Sequence, residues 1–359
     1  MGPTKEDLKN DYKAYIGRKI LFIIGCIVAA VVLIGLSVYF GGSDLSLTYI
    51  YELIWNHLRG VTYEIGTDEF HDDYVVWNLR LPRAFFGIIA GASLAVGGAV
   101  MQSVMKNPLA DPYTTGISSG ACFGMAVAVI LGINIGGGTA EDMGGIVNSF
   151  IFAVVPMMLI LLISQRIGSM PATLILAGVA ITYIFNSLTT LLMMMSDSAT
   201  LATVYRWQIG SLTNIKWSNI PLVLVINIIG SAVLMLMSRK LNVLALGEDS
   251  AKSLGLNTDM MRVVCLFIIS IMVASVVCFC GIFGFVGLVI PHIIRSFLNS
   301  DNTFVIPASA ALGGIVLLGA DCIARYLSPL DAIPAGVVMS FVGAPIFLYI
   351  IIRSKREVW

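Results

Sequence analysis

Charge is what this chain lacks most. Lys, Arg, Asp and Glu make up 12% of its 359 residues, about half the share usual in a soluble domain. Hydrophobic residues make up 58%, and the mean hydropathy is +0.92. That composition excludes a water-soluble globule and identifies a polytopic membrane protein. The 21 basic and 21 acidic residues cancel, so there is no positive excess for a nucleic acid to neutralise. No glycine is followed by lysine anywhere, which excludes a G-x-x-x-x-G-K-[ST] phosphate loop. There is no H-E-x-x-H zinc motif either. The six cysteines (Cys26, Cys122, Cys265, Cys278, Cys280 and Cys322) sit in apolar runs without paired spacing. They read as packing residues, not as disulfides or metal ligands. The chain is therefore expected to be no enzyme by itself, with no metal and no cofactor of its own.

What is present is a series of apolar runs. Nine reach spanning length, near 20–40, 84–105, 117–135, 146–163, 173–195, 220–237, 263–282, 304–320 and 333–352. A tenth, about 283–298, is interrupted by Gly287 and Pro291; irregular backbone of that kind is tolerated where other helices surround it. The expected fold class is all-α, with about ten transmembrane helices, some short or broken. The first run is read as a retained helix, because no small-residue cleavage site follows it. This divides the chain into an N-terminal tail 1–19, a transmembrane domain 20–352 and a C-terminal tail 353–359. An even number of spans puts both termini on one side, and 15 of the 21 basic residues then share that side. The positive-inside rule makes it the cytoplasmic side of the cell membrane.

Four stretches carry the functional reading. Between two apolar segments lies the polar loop 241–262, in which Glu248 to Leu254 predicts a short helix. Glu248 and Asp249 open it, Lys252 sits late, and Gly255 stops it. Its apolar side is suited to a groove on another protein. On the opposite face, loop 41–77 holds an amphipathic helix, Leu47 to Leu58, then an acidic patch with His71, expected to be a solvated surface. Next comes VVWNLRLPRAFFGIIAGASLAVGGAVMQSVMKNPLADP. Gly87, Gly91, Ala95 and Gly98 form a close-packing face, Gln102 is polar within the bilayer, and Pro108 and Pro112 end the helix at the inner surface. Arg80 and Arg83 flank Pro82 on the side where positive charge is disfavoured; Arg325 lies on that side too, four residues after Asp321 and able to pair with it. The last stretches are RIGSMPATLILAG, YRWQIGSL, GIFGFVGLVIPHIIR and GADCIARYLSPLDAIPAGVVMSFVGAPIFLYII.

These stretches, with ALGEDSAKSLGLN, closely resemble the permease family that imports iron chelates, haem and cobalamin, the type II ABC importers. The resemblance spans most of the chain. It implies a homodimer, two separate ATPase subunits that bind ATP and magnesium, an extracytoplasmic binding protein, and a lipid surround. By the same resemblance, Leu246, Gly247, Glu248, Ala251, Leu254 and Gly255 dock the ATPase. Arg80, Arg83 and Arg325 receive acidic residues of the binding protein. Gln102 and the inner turn of Ser169, Pro171, Ala172 and Thr173 line the path and gate, together with the second and fifth helices. The family's glutamate before the last proline corresponds to Ala332, with Asp331 beside it. The implied cargo is a bulky chelate: a ferric siderophore, haem or cobalamin. The alternative is an ion-coupled secondary transporter, which would bury ionisable groups near the bilayer midplane. The charges here fall at helix ends with no acid in mid-span, which favours an external energy supply.

Overall fold

The structure, a computed structural model, describes the backbone of residues 5–41, 45–139, 143–328 and 333–354. Asp331 and Ala332, at the position of the family glutamate, lie outside the described residues.

Every element is helical, and extended pairing among the described residues is confined to one bridge, Ile209 with Ile282. The chain opens with α1 (Lys5–Ser37), which lies along α14 (Asn302–Leu327). No proline or turn signal separates the expected tail 1–19 from the first span, so the helix runs through it from Lys5. Lys19 anchors that end, its ammonium 4.3 Å from the Tyr15 ring and 4.7 Å from the Phe304 ring. Then come α2 (Leu47–Leu58), α3 (Asp68–Tyr74) and a π-helical turn, Val75–Arg80, leading into α4 (Leu81–Met105). The acidic patch is engaged by His57, whose Nδ1 lies 2.9 Å from Asp73 Oδ2 while its ring stacks on Trp77.

The remaining membrane helices are α5 (Ile117–Leu131), α6 (Met143–Ile167), α7 (Pro171–Met194) and α9 (Ile220–Leu236), followed by α12 (Thr258–Cys280), α13 (Val286–Leu298), α14 and α15 (Ala335–Ser354). A surface helix, α8 (Ser198–Gln208), follows α7. Among the described residues seven helices are long and apolar enough to cross a membrane, and α5, α13 and α15 are shorter apolar helices. All ten coincide with the apolar runs. Two further short helices, α10 (Ser238–Ala245) and α11 (Glu248–Ser253), lie on the basic face between α9 and α12.

The frame is built around α4, which packs on α14, α13 and α12. Its glycines permit direct backbone contact. A Cβ on Gly91 would overlap the Gly313 carbonyl of α14, and one on Gly98 would overlap the Gly287 carbonyl of α13. Gly98→Ala therefore meets backbone, which cannot rotate away. It is expected to lower unfolding stability by about 3 kcal/mol, measured as a shifted denaturation midpoint in detergent.

One expectation is corrected here. The chain does not stay at the surface after α4. Gly287 approaches both the Leu94 carbonyl, near the middle of α4, and Asp111 Oδ2. A Cβ on Gly97 would touch Pro112. The segment 106–112 thus folds back into the bundle, and α5 starts at mid-depth from Gly116 (φ +84°). Asp111 is consequently an acid in mid-span. Its side chain accepts from the Tyr113 amide at 2.8 Å, a local bond that hydropathy does not reveal.

Candidate functional site

The helix α11 is bounded as its sequence predicts. Gly255 takes φ +81°, its amide donates to the Lys252 carbonyl, and the Leu256 amide donates to Ala251. That pair of bonds is a Schellman ending. The six residues named for partner docking do not share one face. Leu246 is 69% exposed and Leu254 66%, whereas Ala251 is 0% exposed and belongs to the chain's own core. This corrects the expectation for Ala251: the turn rolls it inward, into the core that also holds Leu241 and Leu244 of α10. Gly247 and Gly255 supply the turns at either end, both with positive φ.

Glu248 anchors α11 to α12. It accepts from Arg262 Nη2 at 3.0 Å and from Lys252 Nζ at 2.9 Å. Hydrogen bonding by Arg262, then Lys252, holds its carboxyl down at about 2, from a usual 4.5. A depressed carboxylate contributes stability that is present above the unfolded value and lost on acidification through the folded one. A nitroxide at Ser253 is accordingly expected to keep its mobility down to pH about 4.5 and loosen progressively toward pH 2. The Glu248→Gln variant should be loose and flat across that range.

The turn before α7 holds Ser169, which is buried and donates to Asp259 of α12. Pro171 and Thr173 are half-buried and Ala172 is exposed. Gln102 is different: it is buried, and its amide donates to the Leu288 carbonyl of α13 at 3.1 Å. The second long helix, α4, is 78% buried over its membrane window, against 28% for α7. Gln102 therefore braces two helices of the frame and does not line an open surface. α9 is as open as α7, and α1 more so; what distinguishes α7 is a polar stretch within its span. Tyr183, Asn186, Ser187 and Thr190 are all exposed, at helical spacings of three and four. The sequence reading missed them; the signal was a polar stripe within an apolar run.

At the opposite face the three expected docking arginines are turned inward. Arg83 grips Asp321 through Nε at 3.0 Å and Nη2 at 2.9 Å, and Arg325 Nε lies 3.0 Å from the other carboxylate oxygen. Arg325 Nη1 also donates to the Ser37 and Phe40 carbonyls at 2.9 and 2.6 Å, and Arg80 Nη1 to the Val38 carbonyl at 2.8 Å. All three side chains and Asp321 are buried. The carbonyls at the end of α1 lack helical partners and carry partial negative charge, so two guanidinium groups cap that helix. This corrects their placement on an accessible rim. Exposed basic residues on that face include Arg59, Arg206 and Lys216.

The model of the FecCD transport family matches residues 27–353. The chain belongs to the FecCD transport family. It is 37% identical to an ABC transporter permease protein of Methanocaldococcus jannaschii, over 98% of this chain and 100% of that one. It is 38% identical to the vitamin B12 import system permease protein BtuC of Klebsiella pneumoniae, over 78% of this chain and 83% of that one. A solved inward-facing metal-chelate type ABC transporter superposes with a TM-score of 0.79 at 27% identity, covering 92% of this chain and 98% of its own. Within this FecCD chain, Gly116 to Gly120 spells G-x-S-x-G, a pattern also found in hydrolases. Here it opens a helix without a preceding strand, and its serine, Ser118, lies in the first turn of α5. The structural context of a nucleophile is missing.

Proposed function

We propose that this FecCD chain is the permease subunit of an ATP-driven importer for a bulky metal chelate, of the ferric siderophore, haem or cobalamin class. Two copies face each other across α7, and cargo passes between them. Two ATPase subunits, which bind the ATP and magnesium, dock on the basic face at the exposed leucines Leu246 and Leu254. That face, with both termini, is cytoplasmic. An extracytoplasmic binding protein delivers cargo to the other face.

The observation that carries this reading is the polar centre of α7. An asparagine and a serine turned toward lipid would stand unsatisfied in hydrocarbon, whereas a two-fold partner and a wet path between the copies would satisfy them; the Thr190 hydroxyl beside them donates to the Asn186 carbonyl at 2.9 Å. No cationic side chain stands among Tyr183, Asn186, Ser187 and Thr190, so the surface suits a large chelate that slides without binding tightly. Selectivity then resides in the binding protein. Cysteines placed at Asn186 and Ser187 in a cysteine-free background are expected to react with a polar thiol reagent, with rates that change about tenfold between nucleotide-free and trapped states. A cysteine at Leu222, on the exposed apolar face of α9, should stay inert. Inert cysteines at Asn186 and Ser187 in every state would refute the path.

Asp111 in mid-span is the feature that favours an ion-coupled secondary transporter. Family membership supports the ATP-driven reading instead. Gradient-driven uptake by the reconstituted chain without an ATPase would reverse that choice.

A further inference from the structure

The polar residues around α11 form a continuous line from the basic surface to the turn that opens α7. Lys252 and Glu248 are paired on α11. Arg262, on the first turns of α12, donates to Glu248 at 3.0 Å while its Nη1 stands 3.9 Å from Asp259 Oδ1. Asp259 in turn accepts from Ser169, in the turn that leads into α7. Ser169 and Arg262 are buried, and Asp259 is 62% exposed.

Arg262 is held in an unfinished arrangement. Its side chain is 1% exposed, yet Nε and Nη1 have no hydrogen-bond partner among the described residues. Buried guanidinium donors without acceptors are costly, and each calls for an explanation. One lies within reach: Nη1 falls about an ångström short of Asp259, beyond the usual donor–acceptor distance. Two carboxylates, one on α11 and one bonded to the α7 turn, thus compete for a single buried guanidinium. A small shift of α11 toward or away from α12 would trade one contact for the other.

We infer that Arg262 and Asp259 are positioning residues that couple α11 to the α7 turn, with the guanidinium shared unequally between Glu248 and Asp259 according to where α11 sits. The inference rests on α11 being the docking element for an ATPase. It goes further in naming which side chains carry displacement from α11 to α7. The physical requirement for such a route is an element with two arrangements that both ends bias. The half-closed Arg262–Asp259 pair meets it. Arginine suits the task because its rigid planar fork holds carboxylates in fixed directions, whereas the lysine ammonium is a flexible point charge.

The test uses the full chain with the ATPase that co-purifies with it, reconstituted in lipid, carrying one nitroxide at the exposed Met170. The label should change mobility between nucleotide-free and vanadate-trapped states. Asp259→Ala removes an exposed side chain and Ser169→Ala a single hydroxyl, so both should fold. Each is expected to cut the nucleotide-responsive fraction at Met170 about tenfold while ATPase retention and ATP hydrolysis stay at the wild-type level. The double variant should be no worse than either single, because the residues act as one unit. Arg262→Lys should fall between wild type and Asp259→Ala. A Met170 response that survives in both single variants would overturn the inference, as would losses that multiply in the double. Those outcomes leave the functional reading standing. A wild-type chain that retains no ATPase would sink that reading, and the route with it.

Discussion

Asp321→Asn is expected to unfold this protein at markedly lower denaturant or temperature than the wild type. The carboxylate sits between Arg83 and Arg325, both buried, with Arg80 close enough to cap the same helix end. Removing it takes away the buried carboxylate that Arg83 and Arg325 share. Breaking a buried pair from one side costs about 3–5 kcal/mol, a large fraction of the margin by which folded proteins are stable. The damage should begin at α1, whose last carbonyls depend on Arg80 and Arg325, so protease sensitivity near residues 38–41 should precede global unfolding. Arg325→Met should also loosen α1. The pairing of Asp321 with Arg83 would survive in that variant, and the loss should be smaller. An Asp321→Asn protein with the wild-type midpoint would show that the cluster carries no structural weight.

The second large effect separates two sides of one short helix. Leu254→Asp and Leu246→Asp place charge on exposed positions and should leave folding unchanged. If the ATPase covers these leucines, desolvating the new carboxylate should weaken retention about thirtyfold or more, the scale of a central interface residue. Ala251→Asp puts the same carboxylate into the core shared with α10. It should prevent folding, so its loss of function would report nothing about docking. Affinity measured on purified protein distinguishes the two classes: Leu254→Asp must be monodisperse and still fail to hold the ATPase. Wild-type retention by both leucine variants would move the docking surface elsewhere.

The ten apolar segments and the α11 turn were legible because their signals are local. Hydropathy reports a span, and a glycine after a lysine-containing turn reports a helix end. The path residues were not legible in the same way. Gln102 reads from sequence as a polar group facing a cavity, yet a carbonyl on α13, 186 residues away, accepts a hydrogen bond from its amide. Asn186, Ser187 and Thr190 are no more polar than Gln102; only the absence of a covering helix sets them apart. The arginines teach the same point. Their position against the charge bias was visible, but the explanation depended on the end of α1 arriving beside them, which is a tertiary fact. Asp111 escaped because a backbone that turns back into the bundle leaves no mark on a hydropathy profile.

The glycine contacts of α4 with α13 and α14 bear on how such a protein could diversify. Backbones that touch through paired glycines act as a keel: neither helix can slide or roll without collision, and almost any new side chain there is rejected. The α7 face has no such constraint, since Tyr183, Asn186, Ser187 and Thr190 are exposed among the described residues. Substitutions along Tyr183, Asn186, Ser187 and Thr190 would thus reshape the passage at little cost to folding, and relatives with different cargo could share one hull and differ along a single exposed helix.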